Sequence, residues 1–78
     1  MKQPKTTDAV LTSFFTIGQR RHAARAYTAA IRSLEIAVTR GENAGRANFL
    51  LGHCYEKLDR PASATDAFAR ARNMGVTE

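Results

Sequence analysis

Apolar residues recur at helical spacing along most of the chain, and no stretch alternates apolar and polar positions for long enough to indicate a strand. Gly and Pro residues, which interrupt helices, are sparse between the apolar positions. The pattern therefore predicts an all-α fold. We expect four helices, over about residues 8–22, 26–40, 46–58 and 61–74, packed as two antiparallel hairpins.

Capping signals mark most of the predicted helix ends. Thr7 or Asp8 can cap the first helix, and Gly41 can take the left-handed conformation that ends the second one. Asp59 is the predicted cap of the last helix, and Pro61 suits its first turn, where a missing N–H costs nothing. No residue between 19 and 40 interrupts a helix, so one long helix over residues 8–40 is the competing structure.

The chain also aligns with itself, without a gap, in the register that places Gly18 on Gly52. We call this alignment the repeat register. Small residues match small residues in it, and large apolar residues match large apolar ones. The matched pairs are Ile17-Gly18 with Leu51-Gly52, Tyr27 with Pro61, Ala30 with Ala64, Leu34 with Phe68, Ala37 with Ala71, and Gly41 with Gly75.

The second copy of this repeat, in residues 51–71, has the pattern L-G-x-x-Y followed by A-x-x-x-F-x-x-A. Together with the spacing of the two copies, this pattern resembles the tetratricopeptide repeat, in which each repeat is a pair of antiparallel helices. The resemblance implies a polar N-terminal segment over residues 1–10, a first repeat over 11–44 and a second over 45–78. The first repeat departs from the family pattern at Arg21, where the family has Tyr, and at its turn, Ala24-Arg25-Ala26.

The resemblance implies a concave groove that binds a helix or an extended peptide, and hence a non-catalytic adaptor or chaperone-like subunit. Three apolar residues of this groove, Phe15, Phe49 and Leu50, are expected to be partly exposed and to serve binding more than folding. The alternative is that they pack on the N-terminal segment or on each other. The residues that we expect to bind the peptide are Phe15, Gln19, His22, Arg46, Phe49, Leu50 and His53.

The last helix is expected to leave an apolar surface open where a third repeat would stack. A second copy of the chain could cover this surface, either as a two-fold dimer or through a domain swap at the first hairpin's turn. The residues assigned to this self-association are Ala64, Ala67, Phe68 and Ala71.

The formal net charge is +5, from twelve Lys and Arg residues against seven Asp and Glu residues. Arg20, Arg21, Arg25 and Arg32 form a stretch that contains no acid. Such a stretch is usually a solvated helix face, but it can also attract phosphates. A small basic helical protein that binds nucleic acid is therefore the alternative function.

Catalytic and membrane functions are not indicated by the sequence. His22 and His53 have no recognisable spacing to a nucleophile, the one cysteine, Cys54, allows no intramolecular disulfide, and no zinc-type cluster is present. We therefore expect neither an enzyme nor a cofactor, and we expect a buried, inert thiol in a reducing cytoplasm. No apolar run approaches the roughly 20 residues that span a bilayer, and the polar start lacks a secretory signal. Met1 and the short polar ends favour a complete chain.

Overall fold

A computed structural model describes residues 13–76 of the chain, and all of its regular secondary structure there is helical. The prediction of an all-α fold is confirmed for this part of the chain. The four helices, in chain order, are α1 (Phe14–Ala23), α2 (Tyr27–Arg40), α3 (Ala44–Lys57) and α4 (Pro61–Asn73).

Each helix packs against the next one along the chain, and α1 also touches α3. The short connections make neighbouring helices antiparallel, so that α1 and α2 form one hairpin and α3 and α4 form a second. The α2–α3 contact joins the two hairpins. Because α1 and α3 also meet, the first helix of each hairpin lies on the same side of the molecule.

The competing structure, one straight helix over residues 8–40, is wrong. Arg25 has a φ of 65°, in the left-handed region, and the N–H of Ala26 donates to the carbonyl of Arg21 at 2.9 Å. This turn contains no Gly or Pro, so no local signal in the sequence predicts it. The break lets α2 fold back onto α1 and bury its apolar face, which a straight helix would leave in water.

The backbone repeats its special conformations in the repeat register. Asp59 has a φ of 60°, close to the value of Arg25, its counterpart in the first hairpin. Gly41 and Gly75, at the ends of α2 and α4, have φ values of 73° and 90°. Both take the left-handed conformation, in which glycine carries no steric penalty from a Cβ.

The two hairpins also cross in the same way. A Cβ on Gly18 would lie 2.5 Å from Cδ2 of Leu34, and a Cβ on Gly52 would lie 2.5 Å from Cε1 of Phe68. Both distances are too short for a real side chain, so the glycines let the two helices of each hairpin approach closely. The prediction that Gly18 and Gly52 lie at helix crossings is confirmed.

The core is built mainly from small residues that interleave with a few large ones. The most deeply buried apolar residues form one cluster that runs through all four helices. Its members are Phe15, Ala30, Leu34, Ala37, Ala47, Leu51, Cys54 and Ala67.

The residues that cap α1 and α4 are Ser13 and Arg60. Ser13 is extended, and its side chain accepts a hydrogen bond from the N–H of Thr16, so Ser13 caps α1. The predicted start at Thr7 or Asp8 lies outside the described residues. Asp59 does not cap α4, because it takes the left-handed turn conformation and Arg60 occupies the cap position. Pro61 is the first residue of α4, as predicted.

Asn48 is a buried polar residue whose side chain has hydrogen-bond partners. Its Nδ2 donates to the carbonyl of Ala44 at 3.0 Å, and its Oδ1 accepts from Nε of Arg70 at 3.1 Å. These bonds satisfy the buried amide, and the bond from Arg70 joins α4 to α3. Phe49 and Leu50 directly follow Asn48 in α3.

Candidate functional site

The side-by-side packing of α1 and α3 brings several of the predicted peptide-binding residues together. A cavity of about 210 Å³ opens between them. Its lining residues are Gln19, Arg46, Phe49, Leu50 and Val76. Four of these five were predicted, and we call this cavity and the adjoining His22 and His53 the groove.

Phe49 and Leu50 supply the apolar surface of the groove. Both are partly exposed, as predicted. The Phe49 ring packs edge-on against His53 at 4.7 Å between centroids and against Phe68 at 5.7 Å. Leu50 lies against the edge of the core cluster. Each side chain is thus held on one side by packing and open on the other, which is the form that an apolar anchor for a ligand takes.

Val76 lines the groove cavity and Phe68 packs against Phe49, although neither residue was predicted to belong to the groove. Val76 follows α4 and lines the cavity, and a Cβ on Gly45 would lie 2.8 Å from its Cγ2. The left-handed turn at Gly75 brings the chain back onto the end of α4, where the N–H of Val76 donates to the carbonyl of Ala71. The signal that could have found Val76 is Gly75, since an apolar residue often follows a left-handed glycine and packs back on the helix end.

Two histidines extend the groove toward the ends of α1 and α3. The rings of His22 and His53 lie 6.3 Å apart, and His22 also meets the Tyr27 ring at 5.8 Å. The pKa of the His22 imidazole lies below its usual value. The main cause is burial of the ring, and the nearby His53 and Lys57 add to it. At neutral pH this imidazole is therefore uncharged and offers an aromatic surface with one donor and one acceptor.

The polar residues of the groove are exposed at its rim. Gln19 projects from α1 and Arg46 from the first turn of α3, and both are exposed. Nδ1 of His53 lies 3.5 Å from the Glu56 carboxylate, which is also exposed. An apolar floor with a polar rim can hold a peptide by its apolar side chains while hydrogen bonds set its direction.

Phe15 is not part of this surface, contrary to prediction. It is only 6% exposed and belongs to the core cluster. Phe15 and Phe49 occupy equivalent positions in the repeat register, but their surroundings differ. α1 is flanked by both α2 and α3, whereas no further helix of the described residues lies on the other side of α3.

The self-association surface predicted on α4 is also different in the structure. Ala64, Ala67 and Ala71 are at most 3% exposed, so the expectation that they lie open is wrong. They face α3 within their own hairpin, because small residues there allow α4 to pack closely. Phe68 is partly exposed, as predicted, with its ring over Gly52.

The one cysteine of the chain lies in the core. Cys54 is fully buried, and burial raises the pKa of its thiol to about 11, so the thiol stays protonated and unreactive. Within residues 13–76, no three His, Cys, Asp or Glu side chains lie together in a way that could hold a metal ion.

The arginine stretch lies apart from the groove's apolar floor. Arg20, Arg21, Arg25 and Arg32 are all exposed. Arg21 donates from Nη1 to the Ser33 hydroxyl at 2.9 Å. Its equivalent in the second hairpin, Tyr55, donates instead to the carboxylate of Glu35 at 3.2 Å and so links the two hairpins.

No known protein family, curated protein or solved structure matches this chain. None of the four described helices combines the length and the apolar character that crossing a membrane requires.

Proposed function

We propose that this chain is a non-catalytic protein-interaction module of the tetratricopeptide-repeat type, which binds a helix or an extended peptide in the groove between α1 and α3. The observation that carries the proposal is the position of Leu50 and Phe49, held by packing on one side and open to a cavity on the other. An apolar side chain in this setting gains free energy when a ligand removes the rest of its surface from water.

The repeated hairpin supports the same proposal. The repeat register recurs in the turn conformations and in the glycine crossings, as the tetratricopeptide resemblance requires. Such a hairpin array holds its first helices side by side and displays one face of them. We further propose that the protein works in a reducing compartment such as the cytoplasm, since its one cysteine is a buried free thiol.

Peptide ligands selected from a random displayed library test the proposal. We expect Leu50→Ala to weaken binding of a selected peptide about tenfold, equivalent to about 1.4 kcal/mol. The alanine side chain is too short to make the apolar contact with the peptide. Ile36→Ala is the matched control, since Ile36 is an aliphatic residue on α2 that is 40% exposed. Equal affinities for wild type and Leu50→Ala, or a larger loss in Ile36→Ala, would contradict the groove.

The alternative function is binding of nucleic acid through the exposed arginines. Arg21 and Arg32 line a shallow depression at the start of α2 together with Ala26, Thr28 and Ala29. Within residues 13–76, none of the four arginines of the stretch forms an ion pair with a carboxylate, so their charges are available to phosphates. A steep loss of affinity for DNA or RNA with rising salt, reduced in Arg21→Gln and Arg32→Gln, would favour this function over the groove.

A further inference from the structure

The two histidines of the chain lie side by side, although they are far apart in the sequence and belong to different helices. His22 is in the last turn of α1, His53 is in the second half of α3, and their ring centroids are 6.3 Å apart. Because the chain has two histidines in all, the fold gathers every imidazole it contains at one place. We call these two residues the histidine pair.

The internal repeat does not account for the histidine pair. In the repeat register His22 corresponds to Glu56, and His53 corresponds to Gln19. The pair therefore arises from the contact between α1 and α3 and not from two copies of one pattern. Both rings are partly exposed, and neither belongs to the core cluster, so a ligand from solution can reach them.

Glu56 orients one member of the pair. Its carboxylate lies 3.5 Å from Nδ1 of His53. A carboxylate at this nitrogen favours the tautomer with the proton on Nδ1, which leaves a lone pair on Nε2. Histidines that bind metal ions usually have such a partner at the nitrogen that does not bind the metal. His53 thus has the arrangement of a metal ligand.

The spacing of the two rings is close to the spacing that one metal ion requires. Two imidazoles that share a zinc ion have ring centroids about 5–6 Å apart, because each Zn–N bond is about 2.0–2.1 Å long. The rings of the histidine pair are 6.3 Å apart and inclined by 54°. A closure of about 1 Å, which partly exposed side chains can make by rotation, brings both rings onto one ion.

Two nearby charges act in opposite directions on a cation at the histidine pair. Lys57 lies near His22 and repels a cation, whereas the Glu56 carboxylate beside His53 attracts one. Both charged side chains are exposed, so water screens both effects. The imidazole nitrogens therefore decide which ligand binds.

We propose that the histidine pair binds one zinc ion, with one imidazole from α1, one from α3 and water in the remaining coordination positions. Imidazole nitrogen is a ligand for zinc and its neighbours among the transition metals, and not for magnesium or calcium. Two histidines are fewer protein ligands than a structural zinc site has, so the ion binds reversibly. When bound, it joins the two helices whose contact forms the groove. The proposal does not depend on peptide binding there.

Calorimetric titration of the untagged 78-residue chain with zinc sulfate at pH 7.5 tests the site. We expect one ion per chain with a Kd on the order of 10 µM. His22→Gln and His53→Gln should each weaken binding at least about tenfold, and Glu56→Gln should weaken it about tenfold. Asp66→Asn, a matched loss of one exposed carboxylate on α4, should change it less than about twofold. Lys57→Gln should strengthen it, because a repelling charge is removed.

Thermal unfolding gives a second readout of the same site. Zinc at about 100 times its Kd should raise the melting temperature of wild type by about 10 °C, since the ion binds the folded chain. His53→Gln should lose this rise. Each variant is compared with its own melting temperature without zinc, so a variant that the substitution destabilises still gives a result.

Three outcomes would overturn the proposal. The first is equal zinc affinity in wild type and in the variant in which both histidines are replaced by Gln. The second is a stoichiometry of one ion per two chains, which would place the ion between copies. The third is the absence of saturable binding up to about 1 mM zinc.

Discussion

Phe15 and Phe49 show how the same residue at equivalent positions takes different roles. The first is 6% exposed within the core, whereas the second is partly exposed at the groove. Phe15→Ala should lower the free energy of unfolding by about 3 kcal/mol, because it leaves a cavity in the core. Phe49→Ala should cost about 1 kcal/mol, since the ring is already partly in water. Urea unfolding of both variants measures the difference, and equal losses would contradict the assigned roles.

His22 should make the free energy of unfolding depend on pH. Its pKa in the folded state is below the ordinary value of 6.5, so the unfolded chain binds the proton more readily. The free energy of unfolding should therefore fall as the pH drops below about 6.5, while above that pH the contribution of His22 is constant.

The variant His22→Gln isolates this effect from the other titrating groups. Urea unfolding at pH 7.5 and at pH 5.5 should show a smaller loss of stability in His22→Gln than in wild type, because the amide takes up no proton. An identical loss in both proteins would show that the surroundings of His22 do not disfavour its charged form.

At the scale of the helices, the closest approach in each hairpin is at a glycine. Alanine normally stabilises a helix interior by about 1 kcal/mol relative to glycine. At Gly52 the added Cβ would meet the Phe68 ring at 2.5 Å, and such overpacking costs about 1–3 kcal/mol. Gly52→Ala should therefore destabilise the protein, opposite to the effect of helix propensity.

The variant Phe68→Ala provides the control for this prediction. In that background the ring is gone, so adding Gly52→Ala should be neutral or stabilising. Thermal unfolding of the two single variants and the double variant completes the cycle. If the single variant Gly52→Ala has a higher melting temperature than wild type, α3 and α4 do not cross closely at this residue.

The sequence predicted the four helices but not every boundary between them. Glycine can adopt a left-handed φ without steric cost, and the proline ring fixes φ at a helical value. The helix ends at Gly41 and Pro61 were therefore predictable. The turn at Arg25 was predicted from the repeat and not from a local signal, because an arginine adopts the left-handed conformation only when tertiary packing outweighs the local cost. Asp59 was predicted to cap α4 because its side chain can accept a hydrogen bond from a helix N–H. In the structure its backbone instead forms the left-handed turn that Arg25 forms in the first hairpin.

At the scale of the whole molecule, the groove was predictable in part. The resemblance to the tetratricopeptide repeat predicted the cavity residues of α1 and α3, since these depend only on which helix faces are displayed. Burial depends on which neighbours a helix has, so Phe15 was misplaced and Val76 was missed. For the same reason the alanines of α4 were expected to be open. Their burial removes the surface argument for a two-fold dimer, and the domain swap stays a prediction.

Ligand binding between α1 and α3, as proposed, can be followed residue by residue through amide chemical shifts during titration with a library-selected peptide. The largest shifts should fall on the residues that line the cavity, which are Gln19, Arg46, Phe49, Leu50 and Val76. Ile36, exposed on α2, should not shift. Shifts concentrated on α2 and on the arginine stretch, with the cavity residues unchanged, would contradict it.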